Sequence, residues 1–282
     1  MRLFVAALAA CVCVGTSALA ADLPAPIYTK APVFVDPGYN WTGFYVGGNL
    51  GYSWGRSSDT STLANGAGTA LFTSAGGSNL NGIVGGGQTG YNWQMQNWVW
   101  GLEADIQGTG EKGERDFNCP TGVCTPSTIA PGFHARVILD RGAAVPVSMD
   151  QKIDWFGTVR ARAGVLLTPK VLLYATGGLA YGEVNTRETI GASAFSASDI
   201  KVGYAVGAGI EGAIGGNWTM KLEYLYVDLG RTSGSFATTI PAFGAGVVAN
   251  GTLASAFSSR ITDNVLRLGL NYRFNDPVVA RY

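Results

Sequence analysis

From residue 41 onward, apolar and polar side chains alternate in stretches of 14 to 16 residues. A period of two is typical of β-strands that have one apolar and one polar face. Trp98 and Trp100, for example, share one face of such a stretch, while Glu103 and Asp105 share the other. The pattern predicts eight strands, at residues 42–55, 81–95, 98–111, 153–168, 171–185, 200–215, 218–231 and 261–274.

The connections between these strands alternate strictly in length. Three are two-residue turns, at Gln96-Asn97, Pro169-Lys170 and Gly216-Asn217. The other four are long, at residues 56–80, 112–152, 186–199 and 232–260. Bacterial outer-membrane barrels combine short periplasmic turns with long outward loops. The sequence therefore predicts an all-β fold, an eight-stranded antiparallel transmembrane up-and-down β-barrel.

The position of the aromatic residues indicates which face of the barrel is outside. A soluble barrel would gain most from large rings inside it, at mid-strand, whereas a membrane barrel places them outside, at the lipid–water boundary. All seven tryptophans fall near predicted strand ends, five at short-turn ends and two at long-loop ends, which favours the membrane barrel. The predicted interface aromatics are Trp41, Trp93, Trp98, Trp100, Trp155, Trp218, Tyr272 and Phe274.

In this orientation the charged face of each strand lines the lumen. An eight-stranded barrel is just wide enough for its own side chains to fill. Buried ions are costly unless they are paired, so we expect a packed charge network. A narrow, porin-like ion path along the same face is the alternative. The predicted network contains Glu103, Asp105, Arg160, Arg162, Glu211, Lys221, Glu223, Arg267 and Arg273.

Composition supports a barrel and excludes a nucleic-acid partner. Nineteen basic and nineteen acidic residues cancel, so no basic surface for nucleic acid is expected. Charged residues are 13% of the chain and hydrophobic residues 47%. Beyond the first residues, however, no apolar run approaches the roughly 20 residues of a membrane helix.

The first forty residues are expected to lie outside the barrel domain. Arg2, the apolar run at 3–15 and the small residues Ala18-Leu19-Ala20 predict a cleaved signal peptide at 1–20. A membrane anchor would need a longer apolar run, and a lipoprotein cut before Cys11 would leave a leader of only ten residues. Four prolines at 21–40 indicate an extended periplasmic linker, and the barrel is assigned to 41–282.

Two cysteines remain after the predicted cleavage. Cys119 and Cys124 lie in a segment rich in proline and glycine, and in an oxidising compartment a local disulfide is the expected state. A free dithiol and a metal site are the alternatives, although no companion His or Cys supports a metal.

No set of residues specifies a reaction. His134 is the only histidine and lies in a predicted loop, whereas hydrolytic triads and most zinc sites depend on imidazole. The glycine motifs at 85–90 and 207–212 match a dinucleotide fingerprint, but they lie inside predicted strands with no helix to follow. We expect no catalysis, no cofactor and no metal. A lipid-modifying barrel enzyme is the alternative.

Three segments carry a resemblance to a known family. WTGFYVGGNLGYSWG from Trp41, LLYATGGLAYG from Leu172 and LRLGLNYRF ending at Phe274 resemble the outer-membrane immunogenic proteins, porin-like small barrels of rhizobia and brucellae. The resemblance implies an OmpA-like eight-stranded barrel in the cell outer membrane, displayed at the surface, with no catalytic residues to transfer. Its expected partners are outer-membrane lipid and lipopolysaccharide, the barrel-assembly machinery, and extracellular or host surface ligands bound by loops.

Overall fold

A computed structural model describes residues 39–65, 67–120, 145–190, 193–240 and 251–274. The predicted signal peptide, most of the predicted linker, Cys124 and His134 lie outside these residues. Within them, no helix is long and apolar enough to cross a bilayer.

Eight antiparallel strands form a closed barrel in which each strand pairs with its neighbours in sequence and β1 pairs with β8. The predicted fold class is thereby confirmed. The strands are β1 (Gly43–Asn65), β2 (Ala70–Met95), β3 (Trp98–Cys119), β4 (Val145–Thr168), β5 (Val171–Ile190), β6 (Ser193–Gly215), β7 (Trp218–Ile240) and β8 (Gly251–Phe274).

The three predicted two-residue turns are confirmed, and all three lie at the same end of the barrel, called here the short-turn end. Gln96 and Gly216 have φ angles of 56° and 52°. Two-residue hairpins often need this left-handed conformation, which glycine adopts without strain.

The predicted lengths of the other connections are wrong. β1 and β2 remain paired as far as Ala64 and Ala70, so most of the predicted loop 56–80 is sheet. Of the predicted loop 186–199, only residues 191–192 lie between β5 and β6. Of the predicted loop 232–260, only residues 241–250 lie between β7 and β8. Serine, threonine and glycine recur on both faces of these strand extensions. The apolar period therefore disappears although the backbone pairing continues.

The outward face carries an apolar band next to the short-turn end. On β1 it runs from Phe44 to Trp54, and on β8 from Phe274 to Leu266. Ten residue steps at about 3.3 Å span about 33 Å, and a strand tilt of about 40° reduces this to roughly 25 Å, the height of a membrane barrel's apolar band. Above the band the outward positions become polar, beginning with Arg56.

β5 begins with residues that are apolar on both faces, from Val171 to Tyr174, and it follows the same alternation. Leu172 and Tyr174 are buried inside the barrel, while Leu173 and Leu179 are exposed on the outer face. The charged part of the barrel interior lies at the height of the apolar band, since the buried Arg267 alternates with the exposed Leu266 and Leu268 on β8.

Candidate functional site in the barrel interior

Arg160 is at the centre of a buried ion cluster. Its guanidinium lies 2.7 Å from Glu103 Oε1, 2.9 Å from Asp105 Oδ2 and 3.3 Å from Glu223 Oε1. The Arg160 side chain has no solvent exposure. Its Nε also donates to the Thr158 hydroxyl at 2.8 Å. These four side chains contact the guanidinium from several directions, and through them Arg160 bridges β3, β4 and β7.

Arg267 on β8 joins the same carboxylates from the other side. Its Nη2 lies 2.8 Å from Asp105 Oδ2 and 2.6 Å from Glu223 Oε2, and its Nε donates to Glu223 at 2.8 Å. Two arginines thus share two carboxylates. Such charge-assisted pairs are strong only where the geometry offsets the cost of removing the ions from water.

Lys221 on β7 completes the cluster. Its Nζ lies 2.8 Å from both carboxylate oxygens of Glu103 and 3.9 Å from Glu223. The Tyr45 hydroxyl donates to Glu103 Oε2 at 2.7 Å. Six ions from β3, β4, β7 and β8 therefore form one network.

A second ion pair lies toward the short-turn end. Arg162 Nη2 contacts Glu211 Oε2 at 2.5 Å, and its guanidinium stacks 4.1 Å from the centre of the Tyr174 ring. Glu211 also accepts hydrogen bonds from Thr219 at 2.5 Å and from Asn271 at 3.0 Å. Arg162 is linked to the main cluster through Glu103 at 3.6 Å.

Arg273, the ninth predicted member, lies apart from the cluster. Its guanidinium stacks 4.0 Å from the centre of the Tyr39 ring. Eight of the nine predicted side chains are therefore brought together in connected ion pairs, and Arg273 is held by an aromatic ring instead.

The prediction that Trp41 lies at the lipid boundary is wrong. Its side chain is buried inside the short-turn mouth, with 1% exposure, in a cluster with Val99, Leu172 and Tyr174. The indole Nε1 donates to the Pro169 carbonyl at 3.2 Å. Trp41 has the same parity as the inward Tyr45, so the alternation of β1 continued back to it places it inside, whereas the prediction used only its position near a strand end.

The other predicted aromatics lie on the outer wall. Five of them are between 43% and 53% exposed: Trp93, Trp98, Trp100, Trp218 and Phe274. Trp155 is partly covered and donates from Nε1 to Glu183 Oε2 at 2.9 Å. Tyr272 packs against Trp218 with ring centres 5.1 Å apart.

An apolar layer lies directly above the ion cluster. Val265 and Leu225 are the next inward residues after Arg267 and Glu223, and Phe156 follows Thr158 in the same way. The layer draws buried side chains from six of the eight strands: Leu80, Val84, Ile153, Phe156, Ala180, Val184, Ala205, Leu225, Val227, Leu229, Ile261 and Val265.

Two carboxyl groups face each other above the apolar band. Asp263 accepts a hydrogen bond from Ser53 at 2.5 Å, and Glu111 on β3 is fully buried beside it. Burial, reinforced by the charge of Asp263, raises the pKa of Glu111 to about 9. Burial likewise raises the pKa of Asp263 to about 6. At neutral pH, Glu111 therefore holds a proton.

Cys119 ends β3, is buried and belongs to a disulfide. Its predicted partner, Cys124, lies outside the described residues, so the pairing of these two cysteines stays a prediction.

Several interior residues were not predicted. Tyr45 and Tyr174 supply hydroxyl groups to Glu103 and Glu223, the second at 2.9 Å. Tyr45 occupies an odd-numbered position of β1, opposite to the outward Phe44, and strict alternation would have placed it inside. Tyr174 lies in the strand that is apolar on both faces, where no such signal exists.

A closed barrel with an apolar outer band and an ion-paired interior defines the class of outer-membrane β-barrel proteins. The sequence matches the family described as "Outer membrane protein beta-barrel domain" over residues 4–274. The chain belongs to this family of bacterial outer-membrane proteins.

Curated relatives agree with this placement. The "31 kDa outer-membrane immunogenic protein" of Brucella melitensis biotype 1 is 34% identical over 275 residues, covering 92% of this chain and 94% of the relative. The "22 kDa outer membrane protein" of Rhizobium leguminosarum bv. viciae is 32% identical over 200 residues, covering 71% and 68%. The predicted family and the outer-membrane localisation are thereby confirmed.

Solved structures give a more distant likeness. Ail, the attachment invasion locus protein of Yersinia pestis, is 15% identical with a TM-score of 0.31, covering 80% of this chain and 99% of that one. The outer membrane protease OmpT of Escherichia coli is 12% identical with a TM-score of 0.38, covering 82% and 97%. These values support no argument about function.

Proposed function

We propose that this protein is a structural and surface-interaction barrel with a closed lumen and no catalytic role. The observation that carries the proposal is the position of Arg160, which is fully buried between carboxylates from facing strands. A hydrated ion on this path would have to break several charge-assisted contacts at once.

Apolar layers on both sides of the ion cluster support the same proposal. Toward the periplasm, Trp41 and Leu172 are buried with exposures of 1% and 0%. Toward the outside, Phe156, Leu225 and Val265 pack together. Hydrophobic constrictions oppose ion passage because water is expelled from them.

Planar-bilayer recording tests the closed lumen. Folded wild-type protein, verified by heat-modifiable migration in gels, should give no discrete conductance steps. Steps would contradict the proposal and favour a narrow channel for small solutes. In that case Lys221→Gln, inside the lumen, should change the preference between cations and anions. Lys152→Gln, on the outer wall, should leave it unchanged.

The strand extensions support display at the cell surface. In β1, eleven residues from Gly55 to Asn65 continue beyond the apolar band. At a rise of about 3.3 Å and a tilt of about 40°, they reach roughly 25 Å above the membrane. The Brucella relatives are named immunogenic proteins, which fits a surface exposed in this way.

Labelling of intact cells with a membrane-impermeant maleimide tests this display. Thr60→Cys, on the extension of β1, should react. Ala161→Cys, in the apolar band, should stay unlabelled, and Asn97→Cys, in a periplasmic turn, should react only after the outer membrane is permeabilised. The wild-type protein gives the background from native cysteines. Labelling at position 97 but not 60 in intact cells would reverse the orientation and refute the proposal.

A further inference from the structure

Three arginines lie together on the outer wall, directly above the apolar band. Arg231 on β7 is the cross-strand partner of Arg260 on β8. Arg260 is also the partner of Ser58 on β1, so Arg56 is its diagonal neighbour. All three arginines are exposed. They form one group across β7, β8 and β1, called here the arginine patch.

A β-bulge turns Arg231 toward the outer face. Tyr224 and Tyr226 face outward on β7, and unbroken alternation would place residue 231 inside. The register between β7 and β8 shifts between Asp228 and Arg231. Gly230 has a φ of 76° at this bulge. Bulges re-aim side chains in this way and are common next to functional sites.

The arginine patch has little compensating charge. Asp228 Oδ2 lies 2.6 Å from Arg260 Nη2. Among the described residues on the outer faces of β7, β8 and β1 above the band, this single carboxylate faces three guanidinium groups. Like charges directly opposite each other in a sheet are unfavourable. An anion bound between them would remove that cost.

The opposite wall has a different charge balance. Above the band, β3, β4 and β5 carry five outward acids and three outward bases. Lys152 there forms an ion pair with Asp154 on the same strand. The acids are Glu114, Asp116, Asp150, Asp154 and Glu183, and the bases are Lys112, Lys152 and Arg187.

The height of the arginine patch indicates its ligand. Arg56 lies two residues beyond Trp54, whose ring centre is 6.3 Å from that of Tyr224. Aromatic side chains of this kind mark the lipid–water boundary. Guanidinium groups just beyond this boundary reach the height of lipid headgroups, and their planar donors match phosphate oxygens. We infer that the arginine patch binds phosphate groups on the headgroup of an outer-leaflet lipid.

Native mass spectrometry in neutral detergent tests this inference, with bisphosphorylated lipid A as the probe. Wild-type protein should retain lipid A and bind the fully dephosphorylated form more weakly. The variant Arg56→Gln/Arg231→Gln/Arg260→Gln should lose about tenfold or more in affinity, because three charge-assisted contacts are removed. Arg56→Gln alone leaves the contact with Asp228 intact and should lose part of the affinity.

A matched control removes three bases from the opposite wall, in Lys112→Gln/Lys152→Gln/Arg187→Gln, and should bind lipid A like the wild type. An equal loss in both triple variants, or none in either, would overturn the inference. Equal binding of dephosphorylated lipid A would do the same. Displacement of lipid A by inorganic phosphate at comparable concentration would indicate a site for the free anion, which also contradicts a headgroup site.

Discussion

Replacing Lys221 by methionine removes one ammonium group from the interior ion cluster. The two side chains have similar lengths, so little cavity is created and the loss is mainly that of the charge. Glu103 then loses the ammonium group that lies 2.8 Å from both of its carboxylate oxygens. It keeps Arg160 at 2.7 Å, so its charge is not left wholly unpaired.

The expected cost follows from this geometry. Breaking a buried ion pair by removing one partner typically lowers the free energy of unfolding by about 3–5 kcal/mol. Because Arg160 remains beside Glu103, we expect Lys221→Met to lose about 3 kcal/mol, at the lower end of this range. Lys152→Met is the matched control, because Lys152 is paired with Asp154 on the outer wall and is 46% exposed. Exposed pairs contribute about 0–1 kcal/mol.

The assay is equilibrium unfolding by urea in lipid vesicles, followed by tryptophan fluorescence and by heat-modifiable migration. The double variant Lys221→Met/Glu103→Gln should recover about 1 kcal/mol or more of the lost unfolding free energy. The carboxylate that has lost its ammonium partner is then replaced by a neutral amide. If Lys221→Met cost no more than Lys152→Met, the buried cluster would not stabilise the barrel and the reasoning would be refuted.

Two further predictions concern acidity and close packing. The raised pKa of Glu111 means that the native state binds more protons than the unfolded state between its ordinary pKa of 4.5 and about 9. The unfolding free energy should therefore fall as pH rises through this window. Urea titrations at a series of pH values measure this dependence. Glu111→Gln should flatten it, whereas Glu114→Gln, at an exposed position, should not. If the unfolding free energy of Glu111→Gln depended on pH as in the wild type, the raised pKa of Glu111 would be contradicted. A Cβ atom at Gly86 would overlap the Ile106 carbonyl oxygen, whereas one at Gly48 would meet its nearest atom at 3.7 Å. Gly86→Ala should cost about 1–3 kcal/mol and Gly48→Ala much less in the same unfolding assay, and equal costs would count against this packing.

The number of strands, the tight turns and the direction of the faces could be predicted because lipid requires apolar side chains on one face. Leu266, Leu268 and Leu270 alternate with Arg267 and stand out for this reason. The same cause explains why the strand ends could not be predicted. Above the band water contacts the outer face, so the apolar requirement ends while hydrogen bonding between strands continues.

The interior was predictable in its charges but not in its neutral partners. Arg160 and Glu223 can be placed inside by parity alone, since charged groups do not face lipid. Tyr174 could not, because its neighbours are apolar on both faces. Trp41 could have been, because it shares the parity of the inward Tyr45, but its prediction used only its position near a strand end. The outward position of Arg231 depends on the β-bulge in β7, which the alternation of apolar and polar residues does not reveal.

Spin labels on β8 test the central claim, that the apolar band faces lipid and the strand continues into water above it. Nitroxides at Leu268→Cys and Ala256→Cys lie on the same outer face, twelve residues apart. In vesicles, the label at 268 should be relaxed by oxygen and shielded from a water-soluble nickel chelate, whereas the label at 256 should be relaxed by the chelate. Equal access of the chelate to both positions would contradict the account.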